Sequence, residues 1–298
     1  MFGCDKRWCG RVRRVFRFDR DNSSVNIQLL SDLHLESNPH FVAQPLPGAD
    51  VLVLAGDIGS YQPESALTRL GVEDFGLARF SPRPVNEGGA GWPTPVLFIP
   101  GNHEYDGQEF EEATRRLRAA CERWGIIWLE QHSVVLHGVR FVGCTLWTDF
   151  DALNGDSLSA LLSGRDKAFR AANYYLRKNH SLRDGVPMLA PEIRALGLQS
   201  QAWLRSALAQ PFEGSTVVVT HFAPSLMSSD PRYGLTPGTA GFCNTLDELL
   251  PAAQLWLHGH LHCPQDYLSQ GCHVVANPLG YAHKGEQKSF RPELLIRV

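Results

Sequence analysis

Five short apolar runs in this chain each stop abruptly at a carboxylate, an amide or an imidazole. Val25 to Leu30 runs into Ser31-Asp32, Val51 to Leu54 into Gly56-Asp57, and Val96 to Ile99 into Gly101-Asn102-His103. Thr216 to Val219 runs into His221, and Leu255 to Leu257 runs into His258-Gly259-His260. Short apolar runs bounded by turn residues predict strands buried on both faces. Such strands need a covering layer on each side, so the pattern predicts an α/β layered fold. Val139 to Leu146, His273 to Ala276 and Leu294 to Val298 are further strand candidates.

Between the strands, Glu109 to Trp124 has helical periodicity. Phe110, Ala113, Leu117 and Ala120 fall on one face, and Gly125 is placed to end the helix. Pro191 to Ala209 predicts a second helix, and the Gly- and Pro-rich stretch 71–95 predicts a loop. No linker divides the chain, so we expect one catalytic domain over residues 25–298, preceded by a basic extension at 1–24. The span 149–189 separates two predicted core strands and reads as an insertion. Between Arg165 and Arg183 it carries six basic side chains against one acid, Asp166. A charge run of this kind is either a solvated helix face or a cap that attracts an anionic substrate. On the second reading, Arg165, Arg170, Arg177 and Arg183 are the candidate contacts.

Charge and cysteine usage narrow the setting. A net charge of -3 implies no global attraction to nucleic acid or anionic membranes. The basic start of the chain, with Lys6, Arg7, Arg11, Arg13, Arg14, Arg17 and Arg20, leaves a local anchor for nucleic acid open. It has no apolar stretch of the kind a secretory signal needs, and no run is long enough to cross a bilayer. The seven cysteines, Cys4 and Cys9 included, are odd in number and irregularly spaced, which predicts reduced thiols in a cytoplasmic protein.

The residues at the strand ends are Asp32, His34, Asp57, Asn102, His103, His221, His260 and His262. Strand ends of a layered α/β fold converge along one edge, where loops build sites. Carboxylate and imidazole together suit a first-row divalent metal. Asp32-Leu33-His34 and His260-Leu261-His262 would each aim two ligands to the same side of a locally extended chain. Either element alone is weak evidence. Five of them, each ending a predicted strand, are strong.

The series SDLHLE, LAGDIG, IPGNHE, VVTHFAP and HGHLH, in that order, resembles the calcineurin-like metallophosphoesterase family, and NPLGY at 277–281 is similar to its closing strand and turn. The resemblance implies a four-layer α-β-β-α sandwich of two mixed β-sheets flanked by helices, here with an inserted helical cap. It also implies a phosphoester hydrolase in which a hydroxide held by two divalent metals attacks phosphorus in line. Asp32, His34 and His262 would bind the first metal, and Asp57 would bridge both. Asn102, His221 and His260 would bind the second. His103 would not be a ligand; it would help the leaving group depart. Manganese is the foremost candidate, with iron, zinc, nickel or cobalt as alternatives.

The substrate implied is a phosphorylated small molecule or nucleotide, as a monoester or a diester. Tyr174, Tyr175 and Phe222 are candidate platforms for a base. A nuclease or a protein phosphatase could use the same centre. A non-catalytic relic of the fold should have lost ligands, and none is missing here. A structural zinc site is usually rich in cysteine, unlike this set. Glu104 reads equally as a residue that orients a ligand or as an exposed acid opening a helix. Asp149 and Asp151 read as supporting groups or loop acids, and His258 as a packing residue.

Overall fold

The computed structural model describes residues 24–153, 155 and 157–298. The basic extension and the Cys4 and Cys9 positions therefore lie outside the described residues, apart from Ser24.

The first half of the chain forms β1 (Asn26–Leu30), β2 (Val51–Ala55), a one-turn α1 (Ala66–Arg69), β3 (Val96–Ile99), α2 (Phe110–Trp124) and β4 (Ile127–Trp128). Then come β5 (His132–Leu136), β6 (Val139–Cys144), α3 (Leu158–Asn179), the short hairpin β7 (Leu182–Arg183) and β8 (Val186–Pro187), and α4 (Ala190–Leu208). The remainder supplies β9 (Thr216–Thr220), β10 (Leu255–His258), β11 (Gln265–Ser269), β12 (Cys272–Ala276) and β13 (Leu295–Arg297).

The larger strands form two mixed sheets. One has the order β13-β1-β2-β3-β4, parallel except at the β13 edge. The other has the order β11-β12-β10-β9-β6-β5, parallel in the middle and antiparallel at both edges.

Strand periodicity of two divides the apolar residues between separate cores. Ile27, Leu29, Val51, Val53, Leu97 and Ile99 of the first sheet share a core with Phe141, Val217, Val219, Leu255, Leu257 and Val275 of the second. The alternate residues Leu52, Leu54, Val96 and Phe98 face a core completed by Ala113, Leu117 and Cys121 of α2. Val142, Val218, Trp256 and Val274 meet Leu204 and Leu208 of α4 in a third. Because both faces of each central strand are covered, β2 and β9 are buried along their whole length.

α2 ends as its glycine demands. Gly125 adopts φ 73°, and its N–H reaches the carbonyls of Cys121 and Glu122. The stretch 71–95 is more ordered than a bare loop. It holds short 3-10 turns at Leu77–Phe80 and Val85–Glu87 and buries Phe75, Phe80 and Trp92.

The 149–189 span is mostly α3, capped by Ser157, whose side chain accepts from the Ala160 N–H. It is tied back beside the turn that follows β3. Gly107 N donates to Asn179 O at 2.9 Å, and Leu182 N donates to Gln108 O at 2.9 Å. Among the described residues no helix is long and apolar enough to cross a membrane.

Candidate metal centre

The strand ends deliver their polar residues to one place. Asp32 and His34 follow β1, Asp57 follows β2, Asn102 and His103 follow β3, His221 follows β9, and His260 and His262 follow β10. Two groups of potential ligand atoms result, each within a span of 4.8 Å: Asp32, His34, Asp57 and His262, and Asp57, His221 and His260. Asp57 belongs to both. Asn102 joins the second group, with its Oδ1 3.2 Å from His221 Nε2.

The local backbone differs from the extended path that the D-x-H and H-x-H spacing suggests. Asp32, His34, Asp57, His260 and His262 all have positive φ, at 53°, 45°, 54°, 73° and 49°. The pairs converge through left-handed turns beyond the strand ends, rather than by strand alternation. A left-handed non-glycine residue costs on the order of 1–3 kcal/mol, and such strain persists where the surroundings enforce a functional geometry. Glycines make the crowding possible. A Cβ on Gly101 would collide with Asp57 Oδ1, and one on Gly259 would stand 2.5 Å from Asp32 Oδ2.

Each carboxylate uses one oxygen to hold the backbone and keeps the other for the centre. Asp32 Oδ1 accepts from His260 N at 2.9 Å, and Asp57 Oδ1 accepts from His103 N at 2.9 Å. Asp32 Oδ2, Asp57 Oδ2 and His260 Nε2 are buried with no hydrogen-bond partner. Asp57 Oδ2 lies 3.1 Å from His221 Nε2 and 3.9 Å from His34 Nε2, so one oxygen faces both groups.

The imidazoles follow the same plan. His34 Nδ1 donates to Glu36 at 2.9 Å, His262 Nδ1 to Glu286 at 2.7 Å, and His221 Nδ1 to the Ala55 carbonyl at 2.9 Å. The Nε2 atoms of His34 and His262, only 3.0 Å apart, therefore point inward together. Orphaned buried oxygens and inward nitrogen lone pairs fit divalent cations, because an unpaired buried polar atom is otherwise costly.

The charge distribution agrees. Burial pushes the Asp32 carboxyl up, but the His262 contact and charge outweigh it and hold the group at about 2. Asp57 is likewise held well below the carboxylate range, against burial, by His221 and His103. Glu104 is fully buried rather than an exposed helix-start acid. It accepts from the N–H groups of Asp57, Ile58 and Gly101 at 3.1, 2.6 and 2.7 Å, which locks the turn after β2 to the turn after β3.

His103 stands at the solvent side of this cluster, with its side chain 22% exposed beside fully buried neighbours. Its Nδ1 donates to Asp106 Oδ2 at 2.5 Å, and its ring meets His34 edge-on at 5.1 Å. Asp106, Glu36 and Glu286 were not singled out from sequence. Glu36 and Asp106 lie two and three residues beyond His34 and His103, and that proximity was the one available signal. Phe222 and Phe242 tilt against His260 at 4.0 and 5.1 Å, and Tyr281 stacks on His34 at 4.2 Å.

Three of the four candidate arginines of the insertion are paired with acids. Arg165 makes two hydrogen bonds to Asp151, Arg170 pairs with Asp166, and Arg183 pairs with Glu111. Arg177 is exposed on α3. Asp151 also accepts from Arg194, so it is a structural link between α3 and α4. Asp149 accepts from Gln201, and His258 is buried against Ser228 at 3.0 Å. The exposed Tyr174 and Tyr175 pack edge-to-face on each other, 5.1 Å apart.

The family model for calcineurin-like phosphoesterases matches residues 25–264, which takes in every ligand candidate. The chain belongs to that family. It is accordingly a phosphoesterase, and its aspartate and histidine cluster is the candidate site for divalent metal. An uncharacterized protein of Acanthamoeba polyphaga mimivirus is 22% identical over 217 residues, 68% of this chain and 73% of the viral one. Among solved structures, the phosphopantetheinyl hydrolase of Mycobacterium tuberculosis aligns with a TM-score of 0.65 at 21% identity, covering 92% of this chain and 96% of that one. The similarity establishes a shared α/β fold of two mixed sheets flanked by helices.

Proposed function

We propose that this calcineurin-like phosphoesterase hydrolyses a small or nucleotide-like phosphate ester at a two-metal centre bridged by Asp57. Asp32, His34 and His262 would hold one metal; Asn102, His221 and His260 would hold the other. The observation that carries the reading is that two separate ligand groups share a single residue, whose buried Oδ2 has no hydrogen-bond partner. Metals bound by these residues would supply Lewis acidity to the phosphoryl oxygens and would acidify the attacking water.

The chain's own residues do the rest. Glu36, Glu286 and the Ala55 carbonyl accept from the Nδ1–H groups, so the Nε2 atoms face the centre and would give their lone pairs to the metals. Asp57 Oδ1 holds His103 by its backbone N–H, and Asp106 holds the same residue by Nδ1–H. His103 Nε2 is then the atom that carries a proton toward the leaving oxygen. General acid catalysis of this kind is worth roughly 10²–10⁴-fold.

Ion-paired arginines offer little free charge to a substrate, so a cap that recruits anions through Arg165, Arg170 or Arg183 has less support than direct capture at the metals. The described cysteines are free, which favours a reducing, cytoplasmic setting. The deciding experiment uses purified protein reconstituted with Mn²⁺, Fe²⁺, Zn²⁺, Ni²⁺ or Co²⁺. It compares an aryl monoester, an aryl diester, cyclic nucleotides, a phosphopantetheine ester, a phosphopeptide and single-stranded DNA. Metal-dependent turnover of a small ester supports the proposal. Turnover confined to DNA or to the phosphopeptide would move the reading to a nuclease or a protein phosphatase.

A further inference from the structure

The part of the chain that matches the family ends at residue 264, yet two residues beyond it, Tyr281 and Glu286, touch the first ligand group. Glu286 Oε2 accepts from His262 Nδ1–H at 2.7 Å and from Tyr281 N–H at 2.8 Å. The Tyr281 ring stacks on His34 at 4.2 Å and meets His262 edge-on at 5.1 Å. The segment Leu279–Glu286 therefore touches both imidazoles of one group.

The same segment is anchored to the strand end that carries Asp32. Leu279 N donates to Ser31 O, and Gly280 N donates to Asp32 O, both at 3.0 Å. Asn38 Nδ2 donates to Gly280 O at 2.9 Å. Gly280 has φ 71°, and a Cβ there would stand 2.7 Å from Glu286 Cβ. The turn is thus closed tightly enough that only a glycine lets Glu286 reach under it. In the second ligand group, His221 Nδ1 is held by the Ala55 backbone carbonyl instead of a carboxylate.

We infer that Glu286 is a positioning residue that determines how tightly one of the two metal positions, that of Asp32, His34 and His262, retains its ion. The proposal rests on the two-metal reading given above. Its chemistry is that of a carboxylate behind a ligating imidazole. Glu286 holds the proton on His262 Nδ1, keeps the Nε2 lone pair free and makes that nitrogen a stronger donor. Loss of such a partner typically costs 10–100-fold in metal affinity.

The test measures Mn²⁺ binding by titration calorimetry and by elemental analysis after dialysis. It uses the full chain as wild type, Glu286→Ala, Glu286→Gln, and Glu293→Ala as a surface control. Circular dichroism melts in excess Mn²⁺ verify folding. We expect wild type and Glu293→Ala to retain two equivalents. Glu286→Ala should retain one, with the other site weakened about 10–100-fold. Glu286→Gln should fall between, because its amide oxygen can still accept from Nδ1–H without the charge. Glu286→Ala binding both ions as wild type does would overturn the role of Glu286 alone. Equal weakening of both sites, with a lowered melting temperature, would overturn it in favour of a general structural role. A wild-type protein that binds fewer than two ions would overturn the two-metal reading itself.

Discussion

Asp106 Oδ2 sits 2.5 Å from His103 Nδ1, so a histidine at the solvent edge of the centre is backed by a buried carboxylate three residues along. Burial lowers the pKa of His103, but the charges of Asp106 and Asp57 outweigh it and raise it well above the ordinary histidine value. These charges favour the protonated ring that a proton donor requires. Activity that depends on it is complete below the raised value and falls as pH climbs through it. Asp106→Asn should move that alkaline limb to lower pH and reduce kcat about tenfold or more on poor leaving groups, within the range for general acid catalysis. KM should change little. A kcat–pH profile with an unmoved alkaline limb would show that Asp106 does not act through His103.

Asp57 faces both ligand groups through a single oxygen. Replacing it by alanine should remove a ligand from each group, unlike any other single substitution among the ligands. We expect both metals to bind weakly and turnover to fall by at least about 10³-fold, since the centre supplies the main stabilisation of developing charge. Asp57→Asn keeps the shape and loses the charge, and should fall between alanine and wild type. Two full equivalents of metal in the alanine variant, measured by elemental analysis, would remove the bridging assignment.

The close approach at Gly101 gives a third expectation. A Cβ there would meet Asp57 Oδ1 and stand 2.7 Å from both Asp57 N and His221 Cε1. Backbone and buried ligand atoms cannot move aside cheaply, so Gly101→Ala should displace Asp57 and His221 together. The expected result is metal content below wild type and activity reduced by about 10²-fold, a size typical for misplacement of roughly 1 Å. Gly238→Ala, where the nearest atom is 3.6 Å away, should leave both unchanged. Full metal content in Gly101→Ala would show that the turn after β3 is softer than its packing implies.

The core strands were legible because residues such as Val51–Ala55 are buried on both faces and so form unbroken apolar runs. β5 and β11 escaped notice because they are edge strands. β11 gives no apolar run to read, and the three apolar residues of β5, Val134–Leu136, are exposed or half-buried and end in no ligand candidate. The aspartates and histidines at the strand ends stood out because each ends such a run. Their supporting carboxylates did not, because Glu36 or Asp106 in a sequence looks like any solvated acid until burial is known. Glu286 is 24 residues from His262, beyond any local pattern. The left-handed turns at Asp32 and His260 were illegible for a related reason. Surrounding contacts enforce them; residue type does not.

Glu130 offers a test of the scaffold apart from the metals. Its Oε2 accepts from Thr145 N and from Thr145 Oγ1, which joins the segment before β5 to the end of β6. Burial pushes its pKa up to about 7 from the ordinary glutamate value of 4.5, although both Thr145 bonds pull it down. The folded value exceeds the unfolded one, so folding retains a proton that the unfolded chain releases. The stability linked to that proton is fully present below about pH 4.5 and is lost as pH rises through about 7. The loss is on the order of 3 kcal/mol at most, reduced by the water that reaches this half-buried side chain. Glu130→Gln cannot ionise and should escape it. In urea titrations on metal-saturated protein, the stability of Glu130→Gln relative to wild type should rise between pH 4.5 and pH 8 and then level off. A difference that stays constant across that window would mean that Glu130 is ionised in the folded protein and that Thr145 alone meets its charge.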